Sequence, residues 1–169
     1  MLTMGEALRT SEYRIEKART DAVLVLANGE TARGQFFVGV YGRSSAPERV
    51  AELLNGEAGF FPFEVHSPDG PRTVLYNRLQ IMTVMLADEE ARLDPGYDVA
   101  TPRAITVHLM NNQRLTGWIR IHRPEGRDRL SDWTRQPELF RYVETDSATY
   151  LVNMAHVVDV TELAEVTPS

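Results

Sequence analysis

Cysteine is absent from the 169-residue chain, which excludes disulfides, thiolate nucleophiles and the usual structural zinc sites. A bound metal would have to use carboxylates and histidine, and histidine is itself scarce at four residues. Lysine is nearly missing, since of 18 basic residues only Lys17 is not arginine. No stretch approaches the roughly 18 apolar residues that a membrane helix needs. Where a secretory leader would carry an apolar core, the N-terminal segment has Glu6, Glu12 and Glu16. Positive charge is lacking too: the formal net charge of -6 repels nucleic acid and anionic membrane, so a nucleic-acid role would need a local basic patch. What is present is an ordinary globular composition, 43% hydrophobic and 25% charged, on a chain long enough for one ordinary domain or two very small ones. A cytoplasmic protein without membrane association is expected.

The chain repeats itself. Ala22 to Val38 can be laid on Ile105 to Ile121, placing Leu24 on Val107, Leu26 on Leu109, Asn28 on Asn111, Gly34 on Gly117 and Phe36 on Ile119. A second block pairs Arg49 with Arg129 and Glu52 with Asp132; a third pairs Asn77 with Asn153, Ile81 with Val157 and Val84 with Val160. Order and character agree while the loops between blocks differ in length, as expected of a duplicated fold.

Each unit reads as strands. Ile105, Val107 and Leu109 alternate with Thr106 and His108, and Leu115, Ile119 and Ile121 alternate with polar neighbours, the period of two that a half-buried strand requires. Asn111, Asn112 and Gln113 supply the turn, and a three-residue loop predicts Leu109 opposite Leu115, Val107 opposite Gly117 and Ile105 opposite Ile119. In the first unit Asn28-Gly29 is the stronger turn signal. Gly34 and Gly117 fall at inward positions, where a missing side chain lets a strand bend sharply. A Gly, Pro, Ser and Arg loop follows in each unit, then a short helical turn (Arg49 to Asn55, Arg129 to Trp133), then an aromatic strand, then two short strands meeting at Asn77 or Asn153.

This pattern resembles the Sm-like and SH3-like small β-barrels of bacterial type. The resemblance rests on VLVLANGETARGQFFV and ITVHLMNNQRLTGWIRI, similar to the opening motif of an Sm fold, and on VLYNRLQIMTV and YLVNMAHVVDV, similar to its closing strands. It implies an all-β chain of two tandem, strongly bent barrels: an N-terminal segment over 1-20 with a loose helical pattern, a first barrel over 21-86, a linker over 87-103, a second barrel over 104-160 and a tail over 161-169. The chain departs from RNA-binding relatives where Arg78 is followed by Leu79 rather than glycine, where Met154 follows Asn153, and in a long insertion between the second and third strands.

Chemistry is scarce. His108 and His122 share an outer strand face near Asp128 and Asp132, a conceivable metal or acid-base set, but solvated side chains are the simpler reading. No phosphate loop, nucleophile elbow or zinc-helix motif occurs, so no enzyme and no cofactor is expected. Two features point to binding. Val23, Val25 and Phe37 make an apolar outer face on the first unit where the second has Thr106, His108 and Arg120, so cover by the other unit or by a partner is expected. Trp118, Arg120, Arg123, Arg127, Arg129 and Trp133 combine arginines with aromatics, the mixture that tracks and stacks single-stranded RNA, against the acidic Glu125, Asp128 and Asp132. The expectation is a non-enzymatic binding or adaptor module with a protein partner or self-association, an exposed strand edge or the long loop receiving the partner. RNA binding through the Arg and Trp loop is the alternative.

Overall fold

The computed structural model describes residues 17-39, 48-56, 59-87, 90-122, 126 and 129-164. Alternating apolar residues become the strands β1 (Lys17–Leu26), β2 (Thr31–Gly39), β3 (Phe60–Val65), β4 (Arg72–Asn77) and β5 (Ile81–Leu86) in the first half. The second half repeats them as β6 (Thr101–Leu109), β7 (Arg114–Ile121), β8 (Phe140–Glu144), β9 (Thr149–Asn153) and β10 (Val157–Glu162). Two short helices, α1 (Val50–Asn55) and α2 (Leu130–Thr134), precede the third strand of each half. At the start of each, the backbone N–H of Arg49 or Arg129 donates to the carboxylate three residues on, Glu52 or Asp132, which is one arm of a capping box.

The ten strands of the described residues form one antiparallel sheet in the order β10-β6-β7-β8-β9-β5-β1-β2-β3-β4, and it is not closed. Each half contributes five strands in the same order, with its last strand beside its first. The halves are joined where β5 pairs with β9 in the register Thr83↔Val152, Val84↔Leu151, Met85↔Tyr150 and Leu86↔Thr149. The fold is therefore all-β, as expected. Beneath the first half lies an aromatic core in which Phe36 stacks on Phe61 at 5.5 Å and meets Phe63 edge-on at 5.0 Å. Beneath the second lies an aliphatic core of Ile105, Val107, Ile119 and Ile121 with Trp133. The cores interlock at the junction. Phe140 and Leu151 of the second half belong to the first core, and Met82 of the first half belongs to the second.

Three expectations need correction. The hairpin register is shifted by two residues: Val107 faces Leu115 and Ile105 faces Gly117, because four residues, Met110 to Gln113, connect the strands and Asn112 adopts a left-handed φ of 67°. A slip of two keeps every side chain on its face, so the inward set is the expected one. Second, β1 begins at Lys17, inside the segment expected to be helical, and residues 1-16 lie outside the described residues. Third, the stretch expected to be a plain linker contains 3-10 turns at Glu90–Leu93 and Tyr97–Val99, β6 already starts at Thr101, and β10 runs on to Glu162.

Candidate interaction edges and the inter-repeat cleft

A strand buried on both faces reads as a continuous apolar run, and β5, Ile-Met-Thr-Val-Met-Leu, is such a strand: only Met85 is not fully buried. Its counterpart β10, Val-Val-Asp-Val-Thr-Glu, has no neighbour beyond β6 among the described residues and is exposed or half-exposed throughout. The same contrast separates β9, buried except for Tyr150, from its counterpart β4, which pairs with β3 alone. Among the described residues the sheet thus ends in two strands with one edge each left unpaired. The β4 end is apolar, with Phe60, Leu75 and Leu79 exposed; the β10 end exposes Val158 and carries Asp159 and Glu162.

An asparagine shapes the corner at each end of a half. The side-chain oxygen of Asn77 accepts from the Leu79 N–H at 3.1 Å, and that of Asn153 accepts from the Ala155 N–H at 2.9 Å. The second asparagine does more: its Nδ2 donates across the junction to the Ile81 carbonyl at 2.8 Å. Beside it His156 Nε2 meets the Leu79 carbonyl at 2.8 Å.

Between the halves lies a cleft of about 490 Å³, walled by α1, the segment around Asp94 and Tyr97, and the α2 to β8 segment. Its charges are matched internally. Arg49 pairs with Asp94 and, at 3.2 Å, with Glu52; Arg120 Nε donates to Glu144 at 3.0 Å while its guanidinium lies 3.8 Å from the Tyr97 ring centre. Tyr97 donates its hydroxyl to Glu144, and burial followed by that carboxylate raises its pKa. His122 is pushed below its ordinary value by burial and then by Arg120. Behind the cleft the buried carboxylate of Glu90 accepts from the Val50 and Ala51 amides at 2.5 and 3.3 Å and from the Tyr142 hydroxyl at 2.7 Å. Burial, then Glu90, raises the Tyr142 pKa. Asn55 clasps Phe140 of the other half through both its N–H (2.8 Å) and its carbonyl (2.9 Å). Asn55 with Phe140, and Glu90 with Tyr142, tie the halves together across this seam.

The residues expected to bind fall into different places. Val23 and Val25 are half-buried cross-strand neighbours of Met85 and Thr83, on the face that β5 turns toward the second core. Phe37 is half-buried, with the Arg19 guanidinium 5.6 Å from its ring centre. Trp133 is a core side chain, so its indole is not available to stack on a base. Arg141, not foreseen from sequence, covers that ring and donates to the carbonyls of Trp133, Gln136 and Glu138. Trp118 is half-buried beside Glu144, Arg120 is held by that same carboxylate, and Arg129 sits at the start of α2. Arg123 and Arg127 lie outside the described residues, as does Asp128. His108 pairs through Nδ1 with Asp159 of β10 at 2.9 Å, not with Asp132. Among the described residues no group of three His, Asp or Glu side chains converges on a metal-sized site, and no helix is long and apolar enough to cross a membrane. Comparison with known proteins gave no matching family model, no matching curated protein and no matching solved structure.

Proposed function

We propose that the chain is a non-enzymatic, cytoplasmic binding or adaptor module that takes a protein partner on the open ends of its sheet. In this reading each five-stranded half is a small, strongly bent barrel of Sm-like or SH3-like type, supported by the separate core beneath each half. The observation that carries the functional reading is the outer edge of β4, which has no strand beside it among the described residues, with Leu75 exposed on β4 and Phe60 exposed on the neighbouring β3. A strand added there gains main-chain hydrogen bonds from the edge and side-chain contact from the apolar row. The internally matched cleft and the buried Trp133 leave the arginine loop a poorer candidate for binding RNA.

Capture from native cell extract, with and without nuclease, tests this when the parent is compared with Leu75→Glu. Nuclease-resistant protein partners should be retained by the parent and reduced at least about tenfold by the variant, whose exposed site should leave the melt unchanged. Partners lost to nuclease would favour RNA binding, and partners held equally by both proteins would remove the edge from the account.

A further inference from the structure

We propose that the cleft between the halves is a binding site for a small organic monocarboxylate, separate from the sheet edges, in which donors of the second half hold the carboxylate and the apolar body lies toward α1.

The charges of the cleft are matched, but its donors are not. Glu52 accepts from the Arg49 N–H and Nε, Asp94 pairs with Arg49, and Glu144 accepts from Tyr97 and Arg120. Glu138 alone of the lining carboxylates has no hydrogen bond or ion pair among the described residues, and it is exposed. Donors on the wall formed by the end of β7 and by α2 and β8 are left over. Arg120 reaches Glu144 through Nε only. The His122 imidazole and the Gln136 side-chain amide line the cleft and make no hydrogen bond among the described residues. The indole N–H of Trp133, another lining residue, also lacks an acceptor there, and it is not among the side-chain nitrogens sealed from solvent. Such donors trade water for a carboxylate oxygen, and the bond from a guanidinium is the stronger, charge-assisted kind.

The same wall selects against other charges. A cation over the Tyr97 or Trp133 ring would compete with the guanidiniums of Arg120 and Arg141, which already lie there. Four carboxylates and three guanidiniums line the cleft, and Arg141 is spent on backbone carbonyls, so a dianion is repelled where a single charge is held. At about 490 Å³ the cleft is far larger than an inorganic ion and lies in the range of small-molecule sites. Ala51 of α1, Pro137 and Phe140 supply the apolar contact for the body of the acid. With walls from both halves, an occupied cleft ties them together, and the melting temperature rises with ligand concentration.

Titration of the full chain with phenylacetate, followed through the nitrogen-resolved indole signals of its two tryptophans, is the test. The Trp133 signal should shift and saturate, and that of Trp118, which does not line the cleft, should stay in place. Phenylacetamide, benzylamine and phenyl phosphate, which change the charge and keep the ring, should each bind at least about tenfold more weakly. His122→Leu and Gln136→Leu remove groups that hold nothing in the described chain, so the urea melt should be unchanged, while phenylacetate affinity falls about threefold in each and about tenfold in the double variant. Failure of phenylacetate to saturate, equal affinity for any of the three analogues, a shift confined to Trp118, or parental affinity in the double variant would each overturn the proposal. The comparison of analogues uses the parent alone, so it decides even if a variant fails to fold.

Discussion

Replacing Gly34 by alanine is expected to destabilise the fold by about 3 kcal/mol, with Gly117→Ala costing about 2 kcal/mol, the upper part of the range for overpacking. An added Cβ at Gly34 would overlap the Glu64 carbonyl oxygen and lie 2.8 Å from its carbonyl carbon and 2.9 Å from Phe63 Cε1. At Gly117 it would overlap the Glu144 oxygen, 3.1 Å from the carbon and 3.2 Å from Val143 Cγ1. The obstacle in both cases is the backbone of the next strand, so no rotamer change relieves it. Because the backbone of the neighbouring strand sets the limit, alanine already suffices. Gly59 has open space around it and a φ outside the left-handed region, so Gly59→Ala should be near-neutral. Urea melts decide, and values within 0.5 kcal/mol of the parent for both Gly34→Ala and Gly117→Ala would contradict the close crossing of β2 on β3 and β7 on β8.

Glu90→Ala should cost about 3 to 5 kcal/mol. It strips the acceptor from the Val50 and Ala51 amides and from the Tyr142 hydroxyl, and each buried donor left unpaired costs roughly 1 to 3 kcal/mol. The three donors share one carboxylate in one site, so their losses do not add independently and the sum stays below the arithmetic maximum. Glu90→Gln keeps the shape and one acceptor oxygen, and about 1 to 2 kcal/mol is expected. Coupling with Tyr142→Phe in a double-mutant cycle should be measurable, because the two groups are in direct contact. An unchanged melt for Glu90→Ala would mean that the segment between the halves is not anchored as described.

Much of this was legible in the residues themselves. Strand positions followed from period-two alternation, and the inward glycines from their place within it. The hairpin register was wrong by two because turn geometry, here the left-handed Asn112, is set by backbone angles that side-chain periodicity does not report. Glu90 hid in an acidic stretch with Pro95 and Gly96 that has a linker's composition, and only the fold brings it to α1 and Tyr142. Trp133 was misread through its arginine neighbours, although Leu130 three residues earlier places both on one helical face against the second core. The junction left a signal in plain view: Ile81 to Leu86 is nearly all apolar while its repeat Val157 to Glu162 alternates, the mark of a strand buried on two faces against one with an open side.

Fusion of two five-stranded repeats through β5 and β9, with the equivalent strands β4 and β10 left at the edges of the described sheet, is tested most directly by residue-resolved amide hydrogen exchange on the full chain at low concentration. Amides of β5 and β9 should exchange only through global unfolding, with the largest protection in the chain, while β4 and β10 exchange by local opening several orders of magnitude faster. Equal, rapid exchange in all four strands would show that the halves do not share one sheet, and the account would fail at its centre.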